Sequence, residues 1–190
     1  LHSSFDLSAA SFDSTSSSIR LDAGAGIAVD DGTGSGNIFF LADTAAINST
    51  ASIDAGAQGN VLIAPVTATQ PIEFGQNSNS GRLELSGDEL NTVTASILQL
   101  GNSTHVGMPG LTLFQSQAMT LASTPNLSLV SSSAIIQNTG STLTASNLVA
   151  QSATSVTFDQ SGNDIDQIAL EVTGTGQARF FGTGTVTVGS

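Results

Sequence analysis

The chain has no cysteine, no tryptophan, no tyrosine and no lysine, and its only arginines are Arg20, Arg82 and Arg179. Without cysteine there is neither a disulfide framework nor a thiolate metal site, so stability has to come from burial and backbone hydrogen bonding. Charged residues make up only 9% of the sequence, yet acids dominate and the formal net charge is −12. A surface of that sign repels phosphate backbones and anionic lipid, which excludes nucleic-acid or membrane-surface binding through basic contacts. No apolar run reaches the length of a membrane-spanning helix, so membrane insertion is not expected.

What remains is Ser, Thr, Asn, Gln and Gly for polarity, with a hydrophobic fraction of 39%. Leu, Ile, Val and Phe recur along the whole length, unlike a disordered chain, which pairs low hydrophobicity with high charge. Abundant Thr, Ser, Val and Gly suit pleated strands joined by tight turns better than helices. The length is that of one ordinary domain and no linker interrupts it, so residues 1–190 are read as a single unit. Because the sequence starts at Leu1, without an initiator Met, we expect a fragment or processed piece of a longer exported chain.

Short apolar alternations recur from end to end: Ile19-Arg20-Leu21, Phe39-Phe40-Leu41, Val61-Leu62-Ile63, Leu83-Glu84-Leu85, Leu98-Gln99-Leu100, Leu111-Thr112-Leu113, Leu127-Ser128-Leu129, Val156-Thr157-Phe158, Ile168-Ala169-Leu170 and Val186-Thr187-Val188. A period of 2 puts the two flanking residues of each triplet on one face and the middle residue on the other. Turn-forming stretches such as Asp31-Gly32-Thr33-Gly34-Ser35-Gly36-Asn37 and Gly101-Asn102-Ser103 separate them. The first four triplets are roughly 20 to 22 residues apart, in the range where a period signals a solenoid, and later the phase slips. A β-sandwich also has many short strands. The absence of Trp and Tyr, and strands of roughly three to five residues with Gly-rich corners, favour the solenoid. The expected fold is therefore all-β, a right-handed parallel β-helix. One helical cue stands out: Ser86 and Glu89 have capping-box spacing, which predicts a single helical turn at a corner.

Three passages resemble the β-helical repeat regions of filamentous-haemagglutinin-like and autotransporter-type secreted bacterial adhesins. They are Leu83-Glu84-Leu85-Ser86-Gly87-Asp88-Glu89-Leu90 running on to Gly101-Asn102, then Val156-Thr157-Phe158-Asp159-Gln160-Ser161-Gly162-Asn163-Asp164-Ile165, and Gly36-Asn37-Ile38-Phe39-Phe40-Leu41-Ala42-Asp43. The resemblance identifies a style of coil and no ligand. The family's Asn-Pro-Asn-Gly type secretion motif is missing here. The resemblance implies a shaft or carboxy-proximal stretch, located outside the cell or on the bacterial outer surface.

The search for chemistry yields little. His2 and His105 are far apart and lack metal-ligand spacing. Asp30-Asp31-Gly32 has the acid pair of a solenoid polysaccharide hydrolase but no accompanying His element or basic subsite, and reads as a turn. Gly174-Thr175-Gly176 and the Gly32–Gly36 stretch lack the Lys of a phosphate loop. Weak calcium binding by Asp30, Asp31, Asp164 and Asp166 is outweighed by solvated turns. The Thr-x-Thr pairs at Thr67-Thr69, Thr92-Thr94, Thr142-Thr144, Thr173-Thr175 and Thr185-Thr187 are spaced too irregularly for an ice-binding array. We therefore expect no catalytic, cofactor or metal residues and no enzymatic activity. The expected role is a structural or adhesive module, with a surface glycan or protein receptor as partner. The alternative is a filament subunit whose open coils stack head to tail on one another.

Overall fold

The computed structural model describes residues 4–7, 11–15, 18–29, 36–76, 81–102 and 113–189, with side chains from residue 18 onward. Every strand ladder among them is parallel. That rules out the antiparallel sandwich and makes the chain an all-β protein of parallel sheets. The strands form three stacks around one aliphatic and Phe core.

The first stack runs β1 (Ser4–Leu7), β4 (Gly26–Val29), β7 (Ser52–Asp54) and β11 (Val93–Thr94). The second runs β2 (Ser11–Thr15), β5 (Asn37–Leu41), β8 (Asn60–Ala64), β12 (Ile97–Leu100), β15 (Asn126–Ser131), β17 (Leu143–Ser152), β19 (Asp164–Val172) and β21 (Thr187–Val188). The third begins with the pair β3 (Ser18–Leu21) and β6 (Thr44–Ile47). It resumes as β10 (Leu83–Ser86), β9 (Ile72–Gly75), β13 (Leu113–Gln115), β16 (Ala134–Gln137), β18 (Ser155–Phe158) and β20 (Ala178–Phe180). The short β14 (Met119–Thr120) pairs with the first residues of β17, so β17 and β19 run through a corner and reach 10 and 9 residues, longer than the expected strands.

The register makes the returns of the chain explicit. Ser11, Asn37, Asn60, Ile97, Asn126, Asn147, Gln167 and Thr187 share one position in the second stack, so successive returns take 26, 23, 37, 29, 21, 20 and 20 residues. The spacing of roughly 20 to 22 expected from pattern thus belongs to the last circuits. The four triplets that suggested it are not equivalent: Ile19 and Leu83 lie in the third stack, whereas Phe39 and Val61 lie in the second, where Phe39 opposes Leu62. Their even spacing is a coincidence between faces.

Most triplets face as period 2 requires. Leu98, Leu100, Leu127, Leu129, Val156 and Phe158 are buried, with Gln99, Ser128 and Thr157 between them only half-buried. Three depart from the expectation, one being Val186-Thr187-Val188, where Val188 is 80% exposed. In Phe39-Phe40-Leu41 it is Phe40 that enters the core, in step with Ile38 and Ala42. In Leu83-Glu84-Leu85 all three are buried, because β10 is covered on both sides. Leu111 and Thr112 lie outside the described residues.

Parallel stacking brings like side chains into ladders. Ile38, Val61, Leu98, Leu127, Leu148 and Ile168 occupy one inward row, all at most 5% exposed. At about 25 cal/mol per Å² of apolar surface removed from water, such rows are the main favourable term holding the strands together. At the strand starts an amide ladder runs alongside: Asn60 Nδ2 donates to Asn37 Oδ1 at 3.0 Å, and Asn147 Nδ2 to Asn126 Oδ1 at 2.6 Å. Close circuit spacing also explains the Gly174-Thr175-Gly176 turn. A Cβ on Gly176 would collide with the Thr154 carbonyl, and one on Gly174 with that of Ala153. In the turn after β16, Gly140 instead supplies a φ of +84° that other residues rarely adopt.

The third stack is irregular at one place. Between β4 and β11 the first stack holds one strand, β7, and between β5 and β12 the second holds one, β8. Between β6 and β13 the third holds two, because β10 follows β9 in sequence but lies beneath it, with Leu83 opposite Ile72. At about 4.8 Å per strand, this stack is one strand too tall for its neighbours. The mismatch falls at the junction of β6 and β10, which touch but share no ladder.

Candidate functional site

The β6/β10 junction carries a polar feature built around a helical cap. Immediately after β10 the helical turn α1 (Gly87–Leu90) forms with both halves of the predicted capping box. The Glu89 N–H donates to Ser86 Oγ at 3.2 Å, and Glu89 Oε2 accepts from the Ser86 N–H at 2.8 Å. The other carboxylate oxygen, Oε1, accepts the Ile47 N–H of β6 at 2.9 Å. In a laddered junction that N–H would meet the carbonyl of the next strand. Here a buried carboxylate replaces it, since an unpaired buried N–H would cost about 1–3 kcal/mol.

A groove of about 480 Å³ opens beside this bond, lined by Arg20, Asp22, Asn48, Glu84 and Glu89 over the aliphatic side chains of Leu21, Ala45, Ala46 and Ile47. Arg20 Nε and Asp22 Oδ1 pair at 2.7 Å on its exposed rim. On the neighbouring strand Glu73 stands opposite Glu84 in the ladder, and both are at least nine-tenths buried. Arg82 Nη1 reaches Glu73 Oε2 at 3.0 Å while its guanidinium carbon lies 4.1 Å from the centroid of the Phe114 ring, so the arginine spans two strands. Gln76 Nε2 holds the other Glu73 oxygen at 3.3 Å.

A second polar cluster is sealed inside the later circuits. Gln115 and Asn163 are wholly buried and Gln137 is 4% exposed. Gln137 Nε2 donates to Gln115 Oε1 at 2.9 Å and to Asn163 Oδ1 at 2.6 Å. Asn163 Nδ2 answers with bonds to Gln137 Oε1 and to the Phe181 carbonyl, both 2.9 Å. The Leu143 and Gln160 N–H groups supply the remaining bonds, at 2.9 and 3.1 Å, and Gln115 Nε2 binds the Thr142 carbonyl at 2.7 Å. Both donors and both acceptor sites of Gln137 and Asn163 are thereby filled from within the protein.

His2, His105, Asp30 and Asp31 lie outside the described residues. Asp164 and Asp166 are exposed on β19 beside a shallow hollow with Thr144 and Ser146. Among the described residues no three His, Asp or Glu side chains are grouped to hold a metal ion. The Thr-x-Thr pairs sit on different elements: Thr67 and Thr173 in turns, Thr94 on β11, Thr144 on β17 and Thr187 on β21. Sequence reasoning passed over Glu73, Glu84, Arg82, Gln115 and Gln137. The only signal for the first site was the capping box. Gln115, Gln137 and Asn163 each stand beside turn residues and read as part of them. Comparison with family models, with curated proteins and with solved structures finds no match for this chain.

Proposed function

We propose that the chain is a right-handed parallel β-solenoid that serves as a structural or adhesive module of an exported bacterial surface protein. The observation that carries this reading is the three-stack parallel register around one core, together with polar centres that are consumed by the fold. Each return adds one strand to the second stack, so the assembly lengthens by about 4.8 Å per circuit, which suits a stiff spacer. A strand, crossover and parallel strand connection is right-handed in about 98% of proteins, which supports the hand. The adhesin resemblance of the Leu83–Asn102, Val156–Ile165 and Gly36–Asp43 passages supports the location outside the cell, and a surface glycan or protein is the expected receptor.

A second reading, head-to-tail assembly into filaments, is favoured by the outer edges of β20 and β21, which have no ladder partner among the described residues. Beside them Phe181 and Val188 are 59% and 80% exposed, and an unpaired apolar strand edge is a template for another strand. Negative-stain electron microscopy over a concentration series separates the readings. Discrete short rods at all concentrations support the module, and fibres that lengthen with concentration support the filament. Saturable turnover of a polysaccharide would overturn both.

A further inference from the structure

We propose that Asn48 is an N-glycosylation site, whose side-chain amide the folded chain presents to a glycosyltransferase as the acceptor of a sugar from a sugar-diphosphate donor. Asn48-Ser49-Thr50 has the Asn-x-Ser/Thr pattern of such acceptors, and so do Asn102-Ser103-Thr104 and Asn126-Leu127-Ser128. In a chain so rich in Ser and Thr the pattern alone arises easily. What distinguishes Asn48 is the way the fold holds it.

Asn48 follows β6 in a turn closed by the Ala51 N–H on the Asn48 carbonyl at 2.8 Å, and Asn48, Ser49 and Thr50 are all exposed. Its side-chain oxygen Oδ1 accepts the Thr50 N–H at 3.0 Å and the Thr50 hydroxyl at 2.8 Å, an Asx-turn in which the two polar residues of the pattern meet. The Thr50 hydroxyl in turn accepts the Gly24 N–H, from the turn before β4, at 3.1 Å. The amide is thus held by its oxygen edge, while Nδ2 makes no hydrogen bond among the described residues. Asn126 is the opposite case. It lies on β15 beside Leu127, which is 1% exposed, and both edges of its amide are taken: Oδ1 accepts Asn147 Nδ2 at 2.6 Å and Nδ2 donates to the Ser96 carbonyl at 2.7 Å. Extended backbone also sets residues two apart about 6.6 Å from each other, so Ser128 does not fold back on Asn126 as Thr50 does on Asn48. Ser103 and Thr104 of the remaining pattern lie outside the described residues. In the transfer, Asn48 Nδ2 attacks the anomeric carbon of the donor. The C–N bond forms, the bond from that carbon to the phosphate oxygen breaks, the diphosphate leaves with the electron pair, and the Nδ2 proton passes to a base of the transferase. Asn48 also lines the groove of about 480 Å³, which gives the first sugar room beside Arg20 and Asp22.

Such a modification suits an exported surface module without depending on that reading. The test incubates the folded full-length chain with a soluble asparagine-directed N-glycosyltransferase and UDP-glucose, and follows hexose on each asparagine by peptide mass spectrometry. Asn48 should be modified at least tenfold faster than Asn126. In a peptic digest of the same chain, where the fold no longer holds either amide, the two rates should converge. Asn48→Gln should abolish the Asn48 signal, and Thr50→Ser, which keeps the hydroxyl, should retain it. A folded chain that stays unmodified at Asn48, or is modified as fast at Asn126, would overturn the assignment.

Discussion

The circuits after residue 125 and those before residue 101 are built from the same materials, aliphatic rows, amide ladders and Gly corners, and differ in how the chain returns. Later returns take 21, 20 and 20 residues and every junction on the third stack is laddered. Earlier returns take 26, 23 and 37 residues and leave one junction without a ladder. The later region buries neutral amides that saturate one another, whereas the earlier region buries carboxylates that need Arg82, Gln76 and backbone N–H groups to hold them. Even circuit length lets identical groups stack, and uneven length forces single-purpose contacts between unlike groups.

The largest effect should come from breaking the later region's sealed ladder. Gln137→Leu strips partners from Gln115, Asn163 and the Gln160 N–H at once, and at about 1–3 kcal/mol for each group left unpaired should lower stability by roughly 5 kcal/mol or more in urea denaturation. Next come paired core truncations. Phe158→Ala and Phe40→Ala each remove a side chain at most 1% exposed, at a cost of about 3–5 kcal/mol. If the two regions open separately, Phe40→Ala shifts an early unfolding phase and leaves the later one in place, while Phe158→Ala lowers the main transition. A single cooperative transition shifted equally by both would erase the distinction.

Glu89→Ala should cost about 1–2 kcal/mol, the range for losing a helix cap, with the loss confined to β6 and α1 in residue-resolved exchange. Asn147→Ala, which removes one rung of the half-exposed amide ladder, should cost about 0.5–1.5 kcal/mol. Arg20→Ala, by contrast, should change the melting temperature immeasurably, since its pair with Asp22 is roughly three-quarters exposed on both sides and solvent-exposed ion pairs contribute little.

Much of this was legible in the sequence at the level of strands and corners. Leu98-Gln99-Leu100 and Val156-Thr157-Phe158 announced their inward faces by alternation, and Ser86 with Glu89 announced the helical turn. Alternation fails where both faces of a strand are covered, as for Glu84, and where three consecutive apolar residues leave the phase open, as at Phe39-Phe40-Leu41. Circuit length was misread because period-2 patterns are alike on every stack, so spacing alone cannot say which stack a triplet joins. The reversal of β9 and β10 has no local signature, being a consequence of which strand edge each finds. The buried amides were hidden for a similar reason: Gln and Asn beside a turn look solvated until the neighbouring circuit closes over them.

Cross-strand nuclear Overhauser contacts test the central claim, a parallel stack whose third face carries an extra strand out of order, most directly. The account predicts Hα to HN contacts placing Ile72 between Leu83 on one side and Leu113 on the other, Val156 between Ile135 and Ala178, and no ladder of contacts from Ala45 or Ala46 to β10. Strong Hα to Hα contacts of antiparallel pairs, or a continuous ladder from β6 directly to β9, would contradict it.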